Sequence, residues 1–342
     1  MRKATRLLSA TRLLTVVRSP LTGRRTPADR QRRHRPSLLL ASAITATAVA
    51  LAGCGSENDA PATATPSSGG GAFPVTVGSV TLEQRPERIV SLSPTATEML
   101  FAIGAGPQVV AVDDNSNYPP EAPKTDLSGF NPNAEAVAAK NPDLVVLDTD
   151  TNKIVEQLTR LKIPVFRIPA AVTLDDSYRQ ITDLGALTGH PDEAADLTRR
   201  MKDDIAKLVQ SVPKRAEKLT YYYELDQTYY TVTSKTFIGS LFTMVGLENV
   251  ADPVDPDGAK GGYPQLSQEA LIKADPDMIF LADVKCCQQN AQTVAARSGW
   301  GSITAVKNKQ IIELDDDVAS RWGPRVVDLV RAIVDAVARV PA

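Results

Sequence analysis

Histidine is nearly missing from this chain: His34 and His190 are the two among 342 residues. A site for free zinc or manganese recruits several imidazoles together with carboxylates, and a Ser-His-Asp hydrolase needs a histidine base. Both chemistries are therefore poorly supplied. His190 stands in the turn Gly189-His190-Pro191, where a helix-capping or solvated role is expected. Neither a GxGxxG fingerprint nor a P-loop occurs, which removes the usual nucleotide cradles. With so little catalytic equipment, no enzyme, no resident cofactor and no metal site is expected.

Long apolar runs are missing as well. The uncharged Leu/Ala/Thr/Val stretch 37–53 falls short of the ~20 residues of a spanning helix, and it follows a segment, 1–36, with eleven Lys and Arg against one acidic residue, Asp29. A basic flank, a short apolar core and small residues before a cysteine describe a lipoprotein signal peptide over 1–53, with Cys54 as the lipidated residue. Sec export is expected, with the twin arginines Arg24-Arg25 and Arg32-Arg33 as the alternative Tat signal. The unusual length of the basic region leaves the true start open. Cleavage leaves the body strongly acidic: the whole chain carries −2 and the leader +10, so the mature protein is near −12. Nucleic acid is excluded as a partner on that balance. Residues 54–73, rich in Pro, Gly, Ser and Thr, form a flexible tether with a reach on the order of 25 Å.

The body repeats itself. Asn133–Leu147 reads NAEAVAAKNPDLVVL and Ser267–Leu281 reads SQEALIKADPDMIFL, an offset of 134 residues. Each begins with an N-cap residue type, runs a short helical pattern, breaks at Asn/Asp-Pro-Asp and enters an apolar run suited to a buried parallel strand. A fainter echo pairs Glu98–Gly104 with Ser240–Gly246, each a helix end closed by glycine. Two copies so far apart do not make a solenoid. They predict an α/β protein of two parallel-sheet lobes joined by a long bridging helix, with the ligand cleft between the lobes. The expected boundaries are 74–170 for the first lobe, 171–213 for the bridging helical segment and 214–342 for the second lobe, each lobe large enough to bury a core. Leu197, Met201, Ile205, Leu208 and Val212 recur at helical spacing in that bridge, and ~20 helical residues span ~30 Å. A helical bridge predicts small closure motions.

Once Cys54 is lipidated, the remaining cysteines are Cys286 and Cys287. They follow an apolar strand pattern at its carboxyl end, the edge where open α/β sheets bind ligands. Three readings stay open: a vicinal disulfide, reduced thiols without a role, and a contact to a soft metal or haem.

The segments 86–98 (PERIVSLSPTATE), 117–121 (NYPPE), the two Glu…Pro-Asp units and 321–325 (RWGPR) together resemble the helical-backbone substrate-binding proteins of ABC importers, in the cobalamin and ferric-siderophore family. The resemblance runs from about Arg85 to the carboxyl terminus. It implies partners, namely a permease dimer with a separate ATPase and a small-molecule metal chelate, and attachment to the membrane through the lipid anchor. It also implies that Glu135 and Glu269, one on each lobe, dock the permease, and that Tyr118, Phe130, Tyr230, Tyr263, Asp317, Arg321 and Trp322 line the cleft. Where cobalamin binders carry tryptophans on the first lobe, this chain has Gly129-Phe130 and Asp148. The chelate is thus expected to be a ferric siderophore or a cobalamin-type corrinoid, with a haem receptor of the same fold as the alternative. An extracytoplasmic enzyme or chelatase using cleft carboxylates and the cysteine pair is the rival from another class.

Overall fold

The structure, a computed structural model, describes residues 73–341. The leader, Cys54 and the tether up to residue 72 lie outside the described residues. The described chain opens with a hairpin of β1 (Val75–Val77) and β2 (Val80–Leu82), which the sequence pattern did not announce because three-residue strands carry no usable period.

The first lobe alternates β3 (Ile89–Leu92), α1 (Pro94–Ala102), β4 (Val109–Val112), α2 (Ala134–Ala138), β5 (Leu144–Leu147), α3 (Ile154–Arg160) and β6 (Val165–Arg167). Its parallel sheet has the order β4-β3-β5-β6. Every residue of β3 and β5 is buried, as expected of strands covered on both faces. At the end of β3 the chain turns directly into helix, because Ser93 caps α1 by accepting from the Ala96 N–H and Pro94 sits at the first helical turn.

Helices α4 (Leu174–Thr188) and α5 (Pro191–Gln210) carry the chain onward. Thr173 and Asp176 form a capping box at the start of α4. Gly185, inside α4, lets α5 approach, since a Cβ there would collide with the Cβ of Ala194. The second lobe runs β7 (Thr220–Glu224), α6 (Phe237–Met244), β8 (Glu248–Asn249), α7 (Gln268–Ala274), β9 (Met278–Leu281), α8 (Val284–Cys287), α9 (Ala291–Ala295), α10 (Thr304–Lys307), β10 (Ile311–Glu313), α11 (Asp316–Ser320) and α12 (Val326–Arg339). Its parallel sheet is ordered β10-β9-β7-β8.

The expectation of a separate core for each lobe needs correction. Alternate residues of a strand face opposite sides, and in β5 Leu144 and Val146 enter one cluster while Val145 and Leu147 enter another. The first of these clusters is shared: it runs from Ile89 and Leu144 through Ile181, Leu184, Met201 and Ile205 to Tyr223, Phe280 and Ile333 of the second lobe. Two smaller clusters back the outer faces of the sheets, around Val145 and Leu158 in the first and around Tyr222 and Trp300 in the second. α5 packs against α4 on one side and α12 on the other. Its apolar stripe is buried at Met201 and Ile205.

Candidate functional site

The carboxyl edge of the first sheet opens onto a cavity of about 310 Å³. Residues just past three strands line it: Pro94 after β3, Asp113 and Asn115 after β4, Asp148 and Thr149 after β5. The placement follows the general rule for parallel sheets. Gly129 forms part of the wall, and a side chain there would press on the Leu92 carbonyl oxygen at 2.9 Å and on Asp113 at 3.1 Å. Burial raises the Asp113 carboxyl above its usual range, against the opposing effect of the hydrogen bond from Ser116.

Phe130 and Trp322 meet in this cavity, one from each half of the chain. Phe130 is 81% exposed, and Trp322 is fixed by its Nε1, which donates to Gln180 of α4 at 2.8 Å. The other candidate aromatics are placed elsewhere. Tyr118 lies under the Arg325 guanidinium at 4.2 Å and lines a second cavity of about 300 Å³ with Phe101, Glu121 and Asp328. Tyr230 and Tyr263 stand on segments that follow β7, paired by the Thr231 N–H donating to the Pro264 carbonyl at 3.0 Å and the Thr233 N–H to the Gly262 carbonyl at 2.8 Å. Tyr118, Phe130, Tyr230 and Tyr263 are four of the six exposed large hydrophobic residues among the described ones, and an exposed aromatic on a strand-end loop has little packing reason to be there.

Arg321 and Asp317, expected at the cleft, line neither cavity and are engaged within the protein. Glu98, a buried residue of α1, receives Arg321 Nη1 at 2.8 Å and both Nε and Nη2 of Arg325, at 2.9 and 2.5 Å. Arg321 Nη2 also donates to Asp317 at 2.7 Å and to the Asn115 carbonyl at 3.1 Å. Asn117 of the first lobe donates to Asp317 at 3.0 Å. Burial alone would raise the Asp317 carboxyl, but the hydrogen bonds from Lys285 and Asn117 and the Arg321 charge hold it below its usual range. The guanidinium expected to face a ligand is thus engaged by protein carboxylates, in a bracket that joins the lobes. Sequence inspection alone missed Glu98 as its centre.

His190 departs from expectation too. It makes no side-chain cap; instead its Nε2 lies 2.7 Å from Arg85 and 3.0 Å from Gln108. Burial and then the Arg85 charge lower its pKa, so it stays neutral and ties the start of the first lobe to the α4–α5 turn.

Glu135 and Glu269 occupy matching positions in the first turns of α2 and α7. Both are exposed, and neither joins an ion pair with another described residue. Each helix leads through Pro-Asp into the start of its strand, so its first turn points toward the carboxyl edge of its sheet. Cys286 is exposed and Cys287 half-buried, both as free thiols.

The model of the periplasmic binding protein family matches residues 89–318. The chain belongs to that family. An ABC transporter substrate-binding lipoprotein of Bacillus subtilis is 30% identical over 280 residues, covering 78% of this chain and 86% of its own. A cobalamin-binding protein of Halobacterium salinarum is 31% identical over 279 residues, covering 78% and 74%. Among solved structures, a periplasmic solute-binding protein of Staphylococcus epidermidis, described as an iron-binding candidate, superposes with a TM-score of 0.65 at 28% identity, over 75% of this chain and all of its own. Substrate-binding proteins of ABC importers, of which the Bacillus subtilis relative is one, bind small molecules and pair with a permease and an ATPase. Among the described residues no helix is long and apolar enough to cross a membrane.

Proposed function

We propose that this periplasmic binding protein is a lipid-anchored receptor, held outside the cytoplasm through Cys54, that captures an intact metal chelate and hands it to its permease. The chelate is a ferric siderophore or a cobalamin-type corrinoid. One observation carries the reading: among the described residues, four of the six large apolar side chains left in water are aromatics on strand-end loops, spread over both lobes. Aromatic faces suit a large, rigid, polar-edged ligand, and pocket size and polarity set the choice among such ligands.

A haem receptor, the other reading, would draw its iron ligand from the exposed Tyr118, Tyr230 or Tyr263 or from the thiols of Cys286 and Cys287, because His190, the one histidine outside the leader, is held by Arg85 and Gln108 away from the cavity. A chelate that brings its own coordination shell asks for no such group. Glu135 and Glu269 are the proposed docking residues, and the domain boundaries given above are proposed with them. The test is tryptophan quenching, reporting through Trp322, checked by native mass spectrometry against cyanocobalamin, cobinamide, several ferric hydroxamates and haemin. Binding of a corrinoid or a ferric siderophore is expected; binding of haemin alone would transfer the assignment to haem, and binding of none would remove the cleft assignment.

A further inference from the structure

Cys286 and Cys287 end α8, the single helical turn that follows β9 at the carboxyl edge of the second sheet. Side chains one residue apart on a helix do not face each other, yet the two Sγ atoms lie 2.6 Å apart as free thiols. The turn is gripped by α11. The Asp316 carboxylate accepts the backbone N–H groups of Val284, Lys285 and Cys286 at 3.0, 3.0 and 2.9 Å, and Lys285 Nζ reaches Asp315 at 2.8 Å and Asp317 at 3.0 Å. Asp317 in turn holds Asn117 of the first lobe and Arg321 of the inter-lobe bracket.

We propose that Cys286 and Cys287 are a reversible dithiol–disulfide couple that sets the grip of α8 on α11 and, through Asp317, the bracket between the lobes. The inference rests on the placement of the protein outside the cytoplasm, where disulfides form and persist. The oxidant is a small-molecule disulfide, RSSR. A thiolate of one cysteine attacks an RSSR sulfur and expels RS⁻; the second cysteine, deprotonated, then attacks the protein sulfur of the mixed disulfide and expels another RS⁻. One S–S bond forms in the protein and one is lost from RSSR, two electrons pass to RSSR, and the two thiol protons finish on two RSH.

Adjacent Cα atoms lie about 3.8 Å apart, closer than the 4.4–6.8 Å usual for a disulfide. The ring is therefore strained and easily reduced, and it encloses almost no chain, so it does not serve as a staple. Strained, exposed bridges are the labile ones. Desolvation of its sulfur against the α8–α11 contact, although the residue as a whole is exposed, and then the neighbouring Cys287 push the Cys286 thiol up to about 12, which makes exchange slow at neutral pH and faster as pH rises. A bridge between adjacent residues needs their side chains to face each other, which a helical turn does not allow, so the proposed disulfide opens the turn and draws the Cys286 N–H away from Asp316.

The mature protein equilibrated across ratios of reduced to oxidised glutathione, alkylated and read by peptide mass spectrometry decides the first half. A mass loss of two hydrogens confined to the peptide holding both cysteines, reversed by reduced glutathione, is expected. Hydrogen exchange on the two end states decides the second, with exchange at 284–287 and 315–321 faster by about threefold or more in the oxidised form. Two free thiols at every ratio would overturn the proposal. So would a formed bridge with unchanged exchange, or the same exchange response in a C286S/C287S variant. No transport ligand takes part, so failure here leaves the binding assignment standing, and failure to bind any chelate leaves this couple standing.

Discussion

The two sheets share a frame and differ in filling. With β3, β4, β5 and β6 set against β7, β8, β9 and β10, both sheets have one strand order. The correspondence reaches single residues. Asn141 and Asp275, each before proline, are left-handed, with φ of 51° and 45°. Asp143 then accepts the N–H groups of Glu87 and Arg88 at 2.8 and 3.0 Å, just before β3, and Asp277 accepts from the Thr220 N–H and Oγ1 at 2.8 and 2.9 Å, at the start of β7. The same carboxylate sets the register of the same strand pair twice. Inside, the first sheet buries mostly Ile, Val and Leu, with Phe166 its one buried aromatic, while the second lobe buries Tyr221, Tyr222, Tyr223, Phe242, Phe280 and Trp300, with Tyr221 stacked on Phe242 at 4.2 Å. Aromatics bring polar atoms inward. Among the described residues, Tyr222 Oη, Trp300 Nε1 and both Asp283 carboxylate oxygens are buried without a hydrogen-bond partner. The frame has been kept and the contents have diverged, so the proposed docking role treats the lobes as equivalent while their interiors are unequal in chemistry.

The largest test of that equivalence is uptake. Glu135→Ala together with Glu269→Ala should abolish uptake in cells carrying the importer, and the single variants should lose it to similar degrees, since a buried interfacial charge pair broken on one side costs about 2–5 kcal/mol. Chelate affinity of the purified variants should stay within about threefold; a collapse of affinity would place the glutamates in the pocket. A second variant breaks the joint between the lobes. Glu98→Gln leaves two arginines facing an uncharged amide, and loss of a buried ionic partner costs about 3–5 kcal/mol, a Tm drop on the order of 10 °C. A fall under about 2 °C in thermal denaturation would show that the bracket contributes little.

The smallest effect belongs to the second lobe alone. Burial, then the Glu224 carboxylate, raises Asp283 to about 7, although Arg297, paired with Glu224 at 2.6 Å through both nitrogens, works against it. Because the folded state holds this proton more tightly than the unfolded chain does, stability contributed by protonated Asp283 is full below pH ~4 and is lost as pH rises toward 7. Asp283→Asn should remove that slope and raise Tm above pH 7 by about 2 °C or more. Denaturation followed from pH 5 to 8 reads it, and an unchanged slope would assign the proton elsewhere.

Periodicity carried most of the frame. The helical spacing of Leu197, Met201, Ile205, Leu208 and Val212 anticipated α5 to within two residues of its end, and the glycines closing the two echoed helices, Gly104 and Gly246, are both left-handed. The short helices α8 to α11 escaped because four or five residues give no period. The bracket escaped for a different reason: Glu98 and Arg321 are 223 residues apart, and nothing local tells an arginine whether a carboxylate or a ligand will face it. For the same reason the sequence grouped seven cleft candidates that the structure divides, with Phe130 and Trp322 in one cavity and Tyr118 in another.

The core that runs unbroken from Ile89 to Ile333 also bears on how such a molecule changes over generations. Because α4 and α5 share one apolar cluster with both sheets, packing on α1 at one end and α12 at the other, a substitution at Met201 or Ile205 is felt by both halves at once, and neither half is free to be exchanged for a foreign one. Variation is pushed outward to the strand-end loops, where a new cargo is accommodated by residues that the shared interior does not constrain.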